Sequence, residues 1–262
     1  MSAVLYMVAL LQLGATPNEL LAEAIEEYRA GLDSNKREQR LEHFRRAELL
    51  FESIIDGDSN EGIRNADIFV NLGNAAMGTE RLGPAILAYR RALVFDPDHH
   101  RAQQNLDHAR TFLPDWVPKP EKSGFLDTFF AWTRNWTAGE LRMFAALAFL
   151  AAATLIACSI RWKQPMLRNL ATIPSLFWLL FVGLILFGSS RDMENSAVVI
   201  VPEVTARSAD STGAPSRLPQ PLPSGTEVEV LEKRDQWVRV RLADSRDAWL
   251  PESALEFVTS SS

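Results

Sequence analysis

The chain has 262 residues, with 27 Lys and Arg against 33 Asp and Glu, a net charge of −6 and a single cysteine. The acidic balance argues against nucleic acid as a partner, and a lone Cys158 excludes an intramolecular disulfide and any CxxC motif. The length leaves room for two small soluble domains beside a long apolar stretch in the middle of the chain.

Residues 1–15 are apolar and end in the small pair Gly14-Ala15, just before the helix-opening Thr16-Pro17-Asn18. They are too few to span a bilayer. Two readings stand: a secretory signal without its basic n-region, cleaved near Ala15, or an apolar helix packed on the helical domain next to it. Residues 16–113 read as all helix. Asn18 is a good N-cap, and Leu20, Leu21, Ala24, Ile25 and Tyr28 fall at helical spacing up to a break at Gly31. A long charged helix over 33–56 carries Leu41, Phe44, Ala47, Leu50, Phe51, Ile54 and Ile55 as one apolar stripe.

The stretch Phe69 to Pro97 is the most specific. Phe69, Leu72, Gly73, Ala85, Tyr89, Ala92 and Pro97 occupy the aromatic-Leu-Gly, Ala, aromatic, Ala and Pro positions of a repeat of about 34 residues, and resemble a tetratricopeptide repeat. Gly73 and Ala85 are small where two antiparallel helices approach most closely, Tyr89 fills the gap toward the next repeat, and Pro97 stops the second helix. Upstream, Ala47, Phe51 and Ile54 repeat the second-helix spacing; downstream, Ala102, Leu106, Ala109 and Phe112 form a capping helix ended by Pro114. About two repeats plus a cap fall below the three or so such arrays need. Further support is expected from the long 33–56 helix, the membrane surface or a partner.

Tetratricopeptide grooves bind extended segments or helices of other proteins. The resemblance implies a concave, protein-binding face of Asp67, Val70, Asn74 and Met77 on one helix and Arg101, Gln104, Asn105 and His108 on the cap. Asn74 and Asn105 match the asparagines of carboxylate-clamp repeats, yet Val70 stands where the clamp has lysine, which argues against capture of a C-terminal carboxylate. The two asparagines serve equally well as ties between helix and backbone. His99, His100 and His108 lie close together without Cys, HExxH or clustered acids, so no metal site is expected. No Ser/His/Asp set, phosphate loop or G-x-S-x-G occurs, and neither catalytic residues nor a cofactor is expected.

Residues 114–140 read as a linker, then an amphipathic helix with Phe125, Phe129, Trp132 and Trp136 on one stripe. That stripe suits the headgroup region of a membrane, with the tryptophans as anchors, or else packs on the repeats. The apolar middle, 141–190, contains two runs, 141–160 and 173–189, each able to cross a hydrocarbon core of roughly 30 Å. They predict a transmembrane helical hairpin, with a buried hairpin in a soluble protein as the alternative. The loop between them holds Arg161, Lys163 and Arg168 and no acid, which favours a cytoplasmic loop and both ends of the chain on the opposite side.

Residues 191–262 change to a strand pattern: 197–201, 226–231, 236–242 and 247–250 are short alternating or β-branched runs between turn residues. Gly225-Thr before a strand, Trp237-Val-Arg-Val, Ala248-Trp249-Leu-Pro and Ser253-Ala-Leu255 resemble a bacterial SH3 domain, although Ala248 replaces the glycine usual at that turn. The family binds peptides or cell-wall peptidoglycan, and Trp237 and Trp249 suit either a ligand platform or the core.

The predicted fold class is therefore multidomain: an all-α tetratricopeptide-repeat domain, a two-helix transmembrane hairpin and an all-β SH3-like barrel. The order signal, repeat, hairpin, barrel resembles the BatE-type proteins of bacterial aerotolerance operons, as do the segments Asn71-Leu-Gly-Asn-Ala75, Leu82 to Leu93 and Asn105 to Arg110. That resemblance implies a non-catalytic scaffold in the bacterial inner membrane, multi-pass, with both terminal domains in the periplasm. Its implied partners are von Willebrand A-domain membrane proteins and a MoxR-type ATPase, in a complex linked to stress tolerance. An envelope protein acting through the SH3 domain on peptidoglycan or peptides is the second expectation.

Overall fold

A computed structural model describes residues 16–57, 64–120, 138–187 and 195–259. The apolar segment 1–15 and the aromatic stripe over 125–136 lie outside the described residues. Five helices come first: α1 Pro17–Asp33, α2 Arg37–Asp56, α3 Ala66–Gly78, α4 Leu82–Phe95 and α5 His100–Arg110. Thr16, not Asn18, caps α1: its hydroxyl accepts from the Glu19 amide, the Glu19 carboxylate accepts from the Thr16 amide, and Pro17 takes the first helical position. Nor does α1 break at Gly31. The helix runs on to Asp33, and the glycine lets the Phe44 ring approach to where a Cβ would lie 2.9 Å away.

Each helix packs on the one before it, in a series of stacked hairpins. The α3–α4 crossing is close because Gly73 lies under Tyr89, whose ring would meet a Cβ at 2.5 Å. Between α2 and the α3–α4 turn sits Glu48, with no solvent exposure. Its carboxylate accepts from Arg81 at 2.6 Å, Arg45 at 3.0 Å and Thr79 at 3.3 Å, so the buried charge is fully partnered.

The β part is a five-stranded antiparallel sheet in the order β6-β5-β4-β1-β7, beside a two-stranded sheet of β2 and β3. The strands are β1 Ser196–Val199, β2 Glu203–Val204, β3 Leu222–Pro223, β4 Glu227–Arg234, β5 Trp237–Arg241, β6 Asp247–Pro251 and β7 Leu255–Phe257. A bulge in β4 shifts the register between Val230 and Glu232. Ala248 is not a turn residue: it is buried within β6, opposite Val240.

The helices and the sheet form one compact unit. Ile86, Leu113 and Val117 share a buried cluster with Val198 and Val258, so the segment after α5 is a packed element and not a free linker. Gly83 sits where a Cβ would fall 2.7 Å from the Val199 carbonyl. Around this apolar seam Arg110 makes two hydrogen bonds to Glu227, at 2.7 and 2.9 Å, and Arg90 lies 3.5 Å from the same carboxylate. Arg91 donates to Glu256 and to the carbonyls of Phe257 and Val258.

A second unit holds α6 Ala138–Trp162, α7 Pro165–Leu170 and α8 Thr172–Phe187. Gly139–Trp162 and Pro165–Ile185 are long and apolar enough to cross a membrane. They pack through Leu141, Ala145 and Phe181, and Phe144 stacks on Phe181 at 5.9 Å, while Leu147, Leu150, Ile160 and Leu176 face outward. The connection is tighter than the predicted loop over 161–168. Arg161 belongs to α6 and Arg168 to α7, leaving Lys163, in the left-handed region, and Gln164 to turn the chain.

Candidate protein-binding groove

The helical stack has a cavity of about 300 Å³ lined by Tyr28 and Leu32 of α1, Phe44 of α2, Asn74, Met77 and Gly78 of α3, Tyr89 of α4, and Asn105 and His108 of α5. Apolar spacing brings α1 and α2 together, and small residues bring α3 close to both neighbours. Gly78 packs directly on Phe44 in this wall: a Cβ on Gly78 would sit 2.4 Å from the ring.

The floor is polar and ordered. Tyr89 donates its hydroxyl to Asn74 Oδ1 at 2.8 Å, and Asn105 Nδ2 donates to the same oxygen at 2.7 Å. With that oxygen accepting twice, the Asn74 amide nitrogen and the Asn105 amide oxygen have no partner among the described residues. One amide donor and one amide acceptor are thus left over in a wall that also holds Leu32, Phe44 and Met77, groups that a peptide segment can satisfy. Burial pushes the Tyr89 phenol well up from its ordinary value, so it stays a neutral donor. None of the nine lining residues carries a permanent charge.

Of the face expected from the repeat, the structure gathers Asn74, Met77, Asn105 and His108 into the cavity. Val70 is not on it: the side chain is fully buried with Leu50, Phe51 and Ala92, because α3 is clasped between α2 and α4. Asp67 is engaged by Arg101 and by His99 Nε2 at 3.3 Å, so these side chains pair with each other and not with the cavity. Gln104 is exposed and does not line the cavity. The lining residues that sequence reasoning misses are those of α1 and α2, Gly78, and Tyr89, which it assigns to packing between repeats. Tyr28 and Phe44 stand in the apolar stripes, but the extra residues between the hairpins hide their alignment with α3.

His99 Nδ1 accepts from the Ala102 amide as the N-cap of α5, and His108 packs edge-on against Phe112. Among the described residues no three metal-ligating side chains converge. On the five-stranded sheet, Trp237 is half-buried opposite Pro251, whereas Trp249 is buried under the Arg234 guanidinium, 5.2 Å from its ring. No family model, curated protein or solved structure matches this chain.

Proposed function

We propose that this chain is a non-catalytic membrane-anchored scaffold, and that the helical groove holds a segment of a partner protein. The observation that carries this reading is the groove itself. An uncharged wall of Tyr28, Leu32, Phe44 and Met77 surrounds one vacant amide donor and one vacant amide acceptor, a combination suited to an apolar peptide segment and poorly suited to an ion or a polar metabolite. The two apolar helical spans support an anchor that crosses the bilayer twice and leaves both ends on one side. The resemblance to tetratricopeptide and bacterial SH3 modules, and to BatE-type proteins, suggests von Willebrand A-domain membrane proteins and a MoxR-type ATPase as neighbours in the inner membrane, with the soluble parts in the periplasm.

A photo-crosslinker at His108, compared with one at Thr111 on the same helix, tests the groove in native membranes. The reading expects one partner captured at His108 and not at Thr111. Equal capture at both positions, or a protein released from membranes by alkaline carbonate, would end it. A second reading, binding of peptidoglycan or peptides by the barrel, is favoured by half-buried Trp237; retention on peptidoglycan that Trp237→Ala abolishes would support it.

A further inference from the structure

We infer that the barrel acts as a built-in effector of the helical stack: by docking on the back of α4 and α5 it sets the groove on their front. The inference rests on the groove reading for its functional meaning, but its structural half stands alone. Both helices are two-faced. On α4, Tyr89 forms the groove floor while the adjacent Arg90 and Arg91, with Gly83 and Ile86, meet the barrel. On α5, Asn105 and His108 line the groove while Arg110, further along the helix, grips Glu227.

The seam is built to hold a single arrangement. Glu227 is almost fully buried between Arg90 and Arg110. Burial works against the Arg110 charge, but the hydrogen bond and charge of Glu227, with Asp107 beside it, hold the guanidinium above its ordinary value. Glycine at 83 allows backbone contact that no larger residue permits. A rigid helix carries a change on one face to the other, so loosening the back releases Tyr89 and Asn105 from the geometry that points Asn74 into the cavity. Groove affinity and barrel docking are then reciprocal.

Two seam variants of the full chain in detergent micelles test this by amide hydrogen exchange. Glu227→Gln removes the shared charge, and Gly83→Val wedges the seam by placing a Cβ 2.3 Å from Ser224 Oγ. The expected result is faster exchange, about tenfold or more, in β1 and in the groove-side turn Asn105–His108, with α1 and α2 unchanged, and crosslinking from His108 reduced about fivefold or more. Faster exchange confined to the barrel, or spread equally over α1 and α2, would overturn the coupling. Absent crosslinking in the parent chain would defeat the groove reading while leaving the exchange result to decide the coupling.

Discussion

Glu48 and its arginines give an asymmetric prediction. The carboxylate is completely buried, whereas the Arg81 and Arg45 side chains are 43 % and 42 % exposed. Removing the exposed partner strands a buried charge; removing the buried charge merely returns two guanidinium groups to water. Arg81→Ala deletes the 2.6 Å bond and leaves Glu48 with Arg45 and Thr79. Losing one member of a buried pair costs about 3–5 kcal/mol, so with one cation retained we expect about 2–3 kcal/mol. Glu48→Gln keeps the shape and one acceptor and should cost about 1 kcal/mol. It also removes one of the charges that raise the Glu52 carboxyl, whereas Arg81→Ala removes a charge that lowers it. Thermal unfolding of the purified chain followed by circular dichroism should therefore fall by roughly 4–12 °C for Arg81→Ala and by only a few degrees for Glu48→Gln, at about 2–4 °C per kcal/mol. If Glu48→Gln is the more damaging change, the ion pair is not controlled by desolvation and the reasoning fails.

Burial, and then the Glu48 charge, hold Glu52 above the usual carboxylate range. The folded state therefore binds its proton more tightly than the unfolded chain, and the penalty is fully present above the raised folded value and vanishes below the unfolded one. Glu52→Gln should be more stable than the parent at neutral pH, with the advantage shrinking as pH falls through the carboxylate range; a constant difference across pH would refute it. Tyr89→Phe should cost about 1 kcal/mol in thermal unfolding and weaken capture at His108, since the Asn74 amide loses one of the two donors that fix it. Gly73→Val should cost about 1–3 kcal/mol or more by overpacking, because the Tyr89 ring it meets at 2.5 Å is itself buried; an unchanged melting temperature would show that the helices separate freely.

How much of the molecule is legible in its sequence depends on the range of the interaction responsible. The end of α2 at Asp56 and the small residues at Gly73 and Ala85 follow from local spacing and close contact and are visible in a short run of residues, whereas Asp33, expected to open α2, closes α1, and α2 starts at Arg37. Thr16 and Asn18 are both of capping type; the decision between them lies with Glu19, placed to return the bond only to Thr16. The offset of Val70 from Asn74 suggests a groove-facing position, but an offset cannot say how far α2 wraps around α3. The seam is invisible in the sequence. Arg110 and Glu227 are separated by 117 positions, and nothing local distinguishes them from other surface charges. Gly83, in the first turn of α4 before Pro84, owes its size to a strand more than a hundred residues away.

That hidden contact answers a problem the helices pose by themselves. Two hairpins and one further helix leave the back of α4 and α5 with Ile86, Leu113 and Val117 facing outward, and a repeat array closes such a face with another repeat or a polar cap. Here the closure is made by β-structure: Val198 and Val258 cover the apolar patch, and charge pairs to Arg110 and Arg91 seal its rim. The sheet must therefore commit one of its faces to the helices, which engages Glu227 and Glu256 and leaves Trp237 on β5 outside that contact. The contact fixes the spacing between the helical groove and the sheet; on the proposed scaffold function, two partners would be held in one mutual orientation and not merely kept nearby.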